Sequence, residues 1–168
     1  MNDTQPLPWS DTCFVCGEAN PVGLKLRFTA AGDGRVVVDP LRFDPAFEGY
    51  PGHVHGGVVT AALDESAGWA CTVRSGSLYV TGEIRVRFRD AVPGGVPLRL
   101  VAECLQVRRR LAKGRSWIED REGRVLAEAE GLFLPVPEEE QRRVVPELKM
   151  PGRPAREEDL VLPDPTEC

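Results

Sequence analysis

The stretch from Val58 to Val73 runs without a proline and is built mainly of small and apolar residues. Val59, Ala62, Leu63, Ser66, Ala70 and Val73 recur at spacings of three and four, which predicts an α-helix. Its alanines, Ser66 and Gly68 give a surface that sheet backbone can approach closely. Such a helix belongs inside a domain, wrapped by a sheet, and it constrains everything around it.

The flanking sequence supplies that sheet. Leu24, Leu26 and Phe28 alternate with Lys25, Arg27 and Thr29, the period of a half-buried strand, and a second run spans Arg35 to Phe43. Ala31-Gly32-Asp33-Gly34 between them is hairpin-turn chemistry. After the helix, Leu78 to Ala91 alternates, with Gly82, Ile84, Val86 and Phe88 on one face and Glu83, Arg85, Arg87 and Arg89 on the other. Val92-Pro93-Gly94-Gly95 turns the chain into Pro97 to Val107. Arg108 to Arg115 reads as a basic turn, Ser116 to Arg121 as a strand, and Arg124 to Pro135 as the last one. The order predicts an α+β domain: two strands, one long helix, then four strands in meander, forming a curved antiparallel sheet around one central helix.

Three regions follow. Residues 1–23 form an irregular leader, 24–135 the domain, and 136–168 a tail whose prolines and acidic clusters bury too little apolar surface to fold alone. A short helix at Glu138 to Val144, packed on the body, fits the tail's pattern. Net charge is −5, from 21 Lys+Arg against 26 Asp+Glu, which argues against nucleic acid as a partner. No apolar run suits a membrane span, and Met1 to Ser10 lacks the pattern of a signal peptide, so the expected location is cytoplasmic. Five cysteines, Cys13, Cys16, Cys71, Cys104 and Cys168, argue against a disulfide framework.

The chemistry concentrates in His53-Val54-His55-Gly56-Gly57 and the helix behind it. Two glycines at a helix start bare the backbone N–H groups, which carry the positive end of the helix dipole and suit a developing oxyanion. Asp64 lies two turns in, among small and apolar residues, where a carboxylate is costly unless paired or functional. On the residues alone, a loop-capping or arginine-paired Asp64 competes evenly with a functional one.

His55-Gly56-Gly57, with Asp64 nine residues after the histidine and then Gly68, resembles the signature of the PaaI-like, phenylacetate-pathway type of hot-dog-fold acyl-CoA thioesterases. Cys13-Phe14-Val15-Cys16-Gly17, Asn20-Pro21 and Gly23-Leu24 are similar to the leader of many bacterial members, and Ala91 to Gly95 to the family's strand-turn-strand. The resemblance covers residues 13–135. It implies hydrolysis of acyl-CoA thioesters without a cofactor, by a homodimer or dimer of dimers whose sites lie between subunits. Asp64 matches the catalytic carboxylate, a general base or a nucleophile that forms a mixed anhydride. Gly57 matches the glycine whose N–H polarises the thioester carbonyl, and Thr81 the Ser/Thr that positions water. Gly49 stands where several relatives carry Asn or Gln, so that polarising side chain is missing or replaced by His53, His55 or Glu65. The alternative is a non-catalytic acyl-CoA-binding module of the same fold. A dehydratase would need a histidine base where the helix has Asp64.

The remaining candidates carry a bland reading beside a functional one. His55 orders the start of the helix or acts in catalysis. Glu65 projects about 100° from Asp64, toward a subunit interface or solvent; with Gly56, Arg87 and Arg89 it completes the candidate substrate contacts. Arg85, Arg87, Arg89 and Arg108-Arg109-Arg110 either grip CoA phosphates or stand in solvent. Cys13 and Cys16 have the spacing of half a zinc knuckle, but no second cysteine pair exists; His53 and His55 could supply the other two ligands, yet the leader is expected to bind no metal. Cys71 and Cys104 are expected to be buried small hydrophobes.

Overall fold

The computed structural model describes residues 4–162; Cys168, Pro163 and Pro165 lie outside them. Its elements, in chain order, are β1 (Thr4–Pro6), β2 (Thr29–Ala31), β3 (Val36–Leu41), β4 (Glu48–Tyr50), β5 (His53–Val54), α1 (Gly56–Ser75), β6 (Tyr79–Phe88), β7 (Leu98–Arg108), β8 (Leu111–Glu119), β9 (Val125–Pro135), α2 (Glu138–Val144), β10 (Lys149–Met150) and β11 (Arg153–Pro154). Seven strands form one antiparallel sheet in the order β1-β2-β3-β7-β8-β9-β6. The sheet wraps α1, which lies against β3, β6, β7, β8 and β9. This is the hot-dog fold.

The helical periodicity reports true burial: Val59, Ala62, Leu63, Ser66, Ala70 and Val73 are all buried. The small residues serve close packing. A Cβ on Gly114 of β8 would stand 2.8 Å from the Ala67 carbonyl oxygen and 3.0 Å from the Cys71 sulfur, so only glycine lets β8 lie this near α1. The Ser116 hydroxyl, two residues on, donates to the Leu63 carbonyl at 2.7 Å and ties the sheet to the turn before Asp64.

Three expectations need correction. The meander comprises only β7, β8 and β9; β6 pairs with β9 at one edge of the sheet, and the chain crosses from there to β7 on the far side of β8. That crossover is pinned where Val54 donates to the Val92 carbonyl at 2.9 Å. Strand β8 begins at Leu111, so the basic turn shrinks to Arg109-Arg110. Leu24 to Phe28 alternates in burial yet lies outside the sheet, because Leu24 and Leu26 donate to Phe14 and Val15 of the leader at 2.8 and 2.9 Å.

The C-terminal segment docks on this body. Helix α2 stands at the expected residues, and beyond it Val145, Leu148, Met150, Ala155 and Leu160 are buried in the main core. Trp9 and Lys149 exchange backbone hydrogen bonds of 3.1 and 2.8 Å, joining the segment to the leader. No helix among the described residues is long and apolar enough to cross a membrane.

Candidate active site

Asp64 is half-buried on the side of α1 that faces β6. Its Oδ1 accepts a 2.8 Å hydrogen bond from the Thr81 hydroxyl, and among the described residues it forms no ion pair. Burial pushes its pKa up from the ordinary carboxylate value, and the Thr81 hydrogen bond pulls the other way. The arginine-paired reading of Asp64 therefore has no support here.

Thr81 reaches Asp64 because β6 carries a bulge. Thr81 pairs with Phe133, while Glu83 pairs with Leu132, leaving Gly82 as the extra residue. A bulge re-aims the side chains on one side of it. Unbroken alternation would place Thr81 with Glu83 on the outer face. Instead Thr81 shares the inner face with Ile84 and Val86, which pack on the core.

At the start of α1, His55 is the N-cap. Its Nδ1 accepts the Gly57 N–H at 3.0 Å, and its carbonyl accepts those of Val58 and Val59 at 2.9 and 3.1 Å. The Gly57 N–H, expected to meet a substrate, is thus held by an imidazole. The Phe88 ring covers Gly56, 3.4 Å from where a Cβ would stand. Gly57 and Asp64 share a side of the helix but, seven residues apart, are separated by about 10 Å along its axis. A single chain does not bring them to a common reacting atom. His53 is exposed and bridges to Pro93 of the crossover.

The arginines lie elsewhere. Arg85 and Arg87, with Arg115, Trp117, Glu128 and Glu130, line a cleft of about 480 Å³ on the outer face of the sheet. Arg89 pairs with Glu128 at 2.6 Å, and Lys113 pairs with Glu130 at 2.7 Å. The sheet separates these groups from Asp64, and neither Asp64 nor Thr81 lines the cleft. Arg109 and Arg110 are exposed in the β7–β8 turn.

Glu65 turns toward the leader rather than to open solvent. Its Oε2 accepts a hydrogen bond from the Cys13 thiol at 3.0 Å, so the leader packs on α1 next to Asp64. Burial, reinforced by Cys13, pushes Glu65 up to about 8. The neighbouring Cys16 thiol brings Cys13 down to about 5 and is itself raised, chiefly by its contact with Cys13. Nothing in the local sequence signals this contact, since the two residues lie 52 apart in the chain. The four described cysteines are free; Cys71 is buried and Cys104 half-buried.

Comparisons with known proteins agree with the geometry. The family model of the thioesterase superfamily matches residues 51–127, which include His55, Asp64 and Thr81. No curated protein matches. A crystal structure of a thioesterase superfamily protein superposes with a TM-score of 0.68 at 28% identity, over 74% of this chain and 60% of that one. The chain thus spans less than two thirds of that protein's length. A hypothetical thioesterase from Streptococcus pneumoniae, solved with coenzyme A, gives a TM-score of 0.56 at 26% identity, over 62% of this chain and 82% of that one. The E. coli PaaI protein of the phenylacetic acid degradation operon gives 0.61 at 17% identity, over 68% and 81%, and attests the fold alone. The match across the helix and its flanks, and the sheet that wraps it, give this chain the hot-dog fold and a likeness to the thioesterase superfamily.

Proposed function

We propose that the protein hydrolyses acyl-CoA thioesters, with Asp64 as the catalytic carboxylate, Thr81 as its positioning partner and Gly57 as the oxyanion donor. The observation that carries this reading is a half-buried carboxylate whose hydrogen-bond partner is a hydroxyl and not a cation. Burial raises its pKa, which makes it a stronger base than a free carboxylate. Coenzyme A in the structure of the pneumococcal relative supports the substrate class.

The steps balance simply. Asp64 takes a proton from water as the oxygen attacks the thioester carbon. The carbonyl oxygen gathers charge on the Gly57 N–H, displacing the His55 imidazole. Collapse expels the CoA sulfur as a thiolate, which regains the proton. Because Gly57 and Asp64 stand about 10 Å apart along one helix, the reading requires Gly57 from a second copy. The exposed edge of β6 is where that copy joins, as a homodimer or a dimer of dimers. Arg87 and Arg89, too, serve CoA phosphates only if they act on a site of another protomer.

Asp64→Asn tests the mechanism. It preserves size and most hydrogen bonding, so kcat should fall about 10² to 10⁴-fold while acyl-CoA binding persists. Asp64→Ala should melt no lower than wild type, because it removes a half-buried charge. Near wild-type kcat in Asp64→Asn would refute the mechanism. The engaged Gly57 N–H favours a second reading, a binding module without turnover. That reading predicts acyl-CoA affinity and no thiol release by the wild type.

A further inference from the structure

The leader places a third ligand type beside its two cysteines. Sulfur atoms of Cys13 and Cys16 and a carboxylate oxygen of Glu65 lie within 4.8 Å of one another. The Cys13 sulfur also accepts the backbone N–H groups of Val15 and Cys16, at 3.2 and 3.4 Å. Two N–H donors from the second and third residues after a cysteine stabilise a thiolate and turn both sulfurs of a Cys-x-x-Cys loop to one side. Gly17 closes the loop: its N–H donates to the Cys13 carbonyl at 3.0 Å, and a Cβ there would stand 2.3 Å from that oxygen. Arg27 clamps the loop from outside by donating to the Cys16 carbonyl.

We propose that Cys13, Cys16 and Glu65 bind a zinc-class divalent ion and thereby pin the leader to α1 beside Asp64. The sequence offers no second cysteine pair to complete a zinc knuckle; the fold supplies Glu65 instead. Tetrahedral zinc, with bonds of about 2.3 Å to sulfur and about 2.1 Å to oxygen, spaces its ligand atoms roughly 3.6 to 3.8 Å apart. Shifts of about 1 Å or less bring the three atoms there. Three protein ligands leave the fourth position to water on the half-exposed side of Cys13.

Binding forms two metal–sulfur bonds and one metal–oxygen bond, and the thiol protons go to solvent. Nothing is oxidised. The competing chemistry for two nearby cysteines is a disulfide. It would remove the Cys13 sulfur as a hydrogen-bond partner of Glu65 and leave a half-buried carboxyl without it, whereas a metal ion satisfies all three groups at once.

The test uses the full chain, purified without a polyhistidine tag, stripped with chelator and reductant, and titrated with Co²⁺ and then Zn²⁺. The expected result is one Co²⁺ per chain with a thiolate-to-cobalt charge-transfer band, displaced by Zn²⁺. Cys16→Ser should abolish the band. Glu65→Gln, which keeps the side chain's shape, should weaken affinity at least about 10-fold. Zn²⁺ should raise the melting temperature of the wild type and not of Cys16→Ser, and should shield both thiols from alkylation. Absence of the band in folded wild type overturns the proposal. So does unchanged affinity in Glu65→Gln, or a Cys13–Cys16 disulfide that forms under air although Zn²⁺ is present.

Discussion

A single hydroxyl separates two accounts of Asp64. If Thr81 only fills space, Thr81→Val, nearly the same shape, leaves catalysis alone. If it orients the carboxylate, losing the 2.8 Å bond removes a hydrogen bond to a charged group, worth about 1.5–3 kcal/mol. We expect kcat to fall about 10-fold or more, with KM nearly unchanged and Thr81→Ser restoring most of the loss. His55 gives the opposite expectation. As the N-cap holding Gly57, it contributes about 0.5–2 kcal/mol to helix stability. His55→Ala should therefore lower the melting temperature and leave kcat intact or raised, since it frees the Gly57 N–H; a general-base role would instead make kcat collapse. As a candidate, Asp64 was legible in the sequence because a carboxylate stands out on a helix of alanine, valine and leucine. The inward turn of Thr81 was not, because a bulge at Gly82 leaves no mark in the alternation of Val80 to Phe88. Nor was the contact of Glu65 with Cys13, which depends on tertiary placement of the leader.

At the scale of elements, periodicity identified the central helix and the long strands, and stopped at their pairing. Helical burial at spacings of three and four is a local property; the neighbours of β6 are not. Its passage to β9 rather than β7 follows from the crossover through Val92, held by Val54 just ahead of the helix. The C-terminal segment shows a similar limit. Its prolines and charges read as a tail, yet Leu148, Met150 and Leu160 are buried on the core and Asp159 locks the fold-back. The Asp159 carboxylate accepts two hydrogen bonds from Arg153, at 2.6 and 2.7 Å, and one from the Arg156 N–H at 2.7 Å. Arg153 above all holds its pKa below the ordinary value. A depressed carboxylate pKa stabilises the folded form above the unfolded value, about 3.9, and that contribution disappears as pH falls through the folded value. Proteolysis after α2 should accelerate as pH drops below about 4, and Asp159→Asn should show the same susceptibility already at neutral pH. Equal resistance of the variant and the wild type at pH 7 would mean that burial alone holds the segment.

The whole molecule raises the question of how many chains make one site. Among the described residues β6 ends the sheet with one hydrogen-bonding edge free, and it exposes Val80 at 55% and Phe88 at 50%. Unprotected edges of this kind invite pairing with another strand. Twofold pairing of β6 with its copy would continue the sheet and cover both residues. It would also set the start of one α1 near the middle of the other, which the separation of Gly57 from Asp64 within one chain demands. The arginines of β6 do not forbid this, because Glu128 on β9 already pairs with Arg89 and Glu130 lies opposite Arg85. The proposal makes assembly and catalysis inseparable. Val80→Lys combined with Phe88→Lys adds like charges to both sides of the twofold edge and replaces no buried core residue, while also lifting the Phe88 ring from Gly56. Light scattering should report a dimer or tetramer for the wild type and a monomer for the double variant, with circular dichroism unchanged. Activity of that monomer should drop by about 10²-fold or more, the loss expected when an oxyanion donor is removed. Mixing it with an Asp64→Asn chain that keeps its own edge should restore nothing. A folded monomer with wild-type turnover would place the whole site within one chain and refute the shared arrangement.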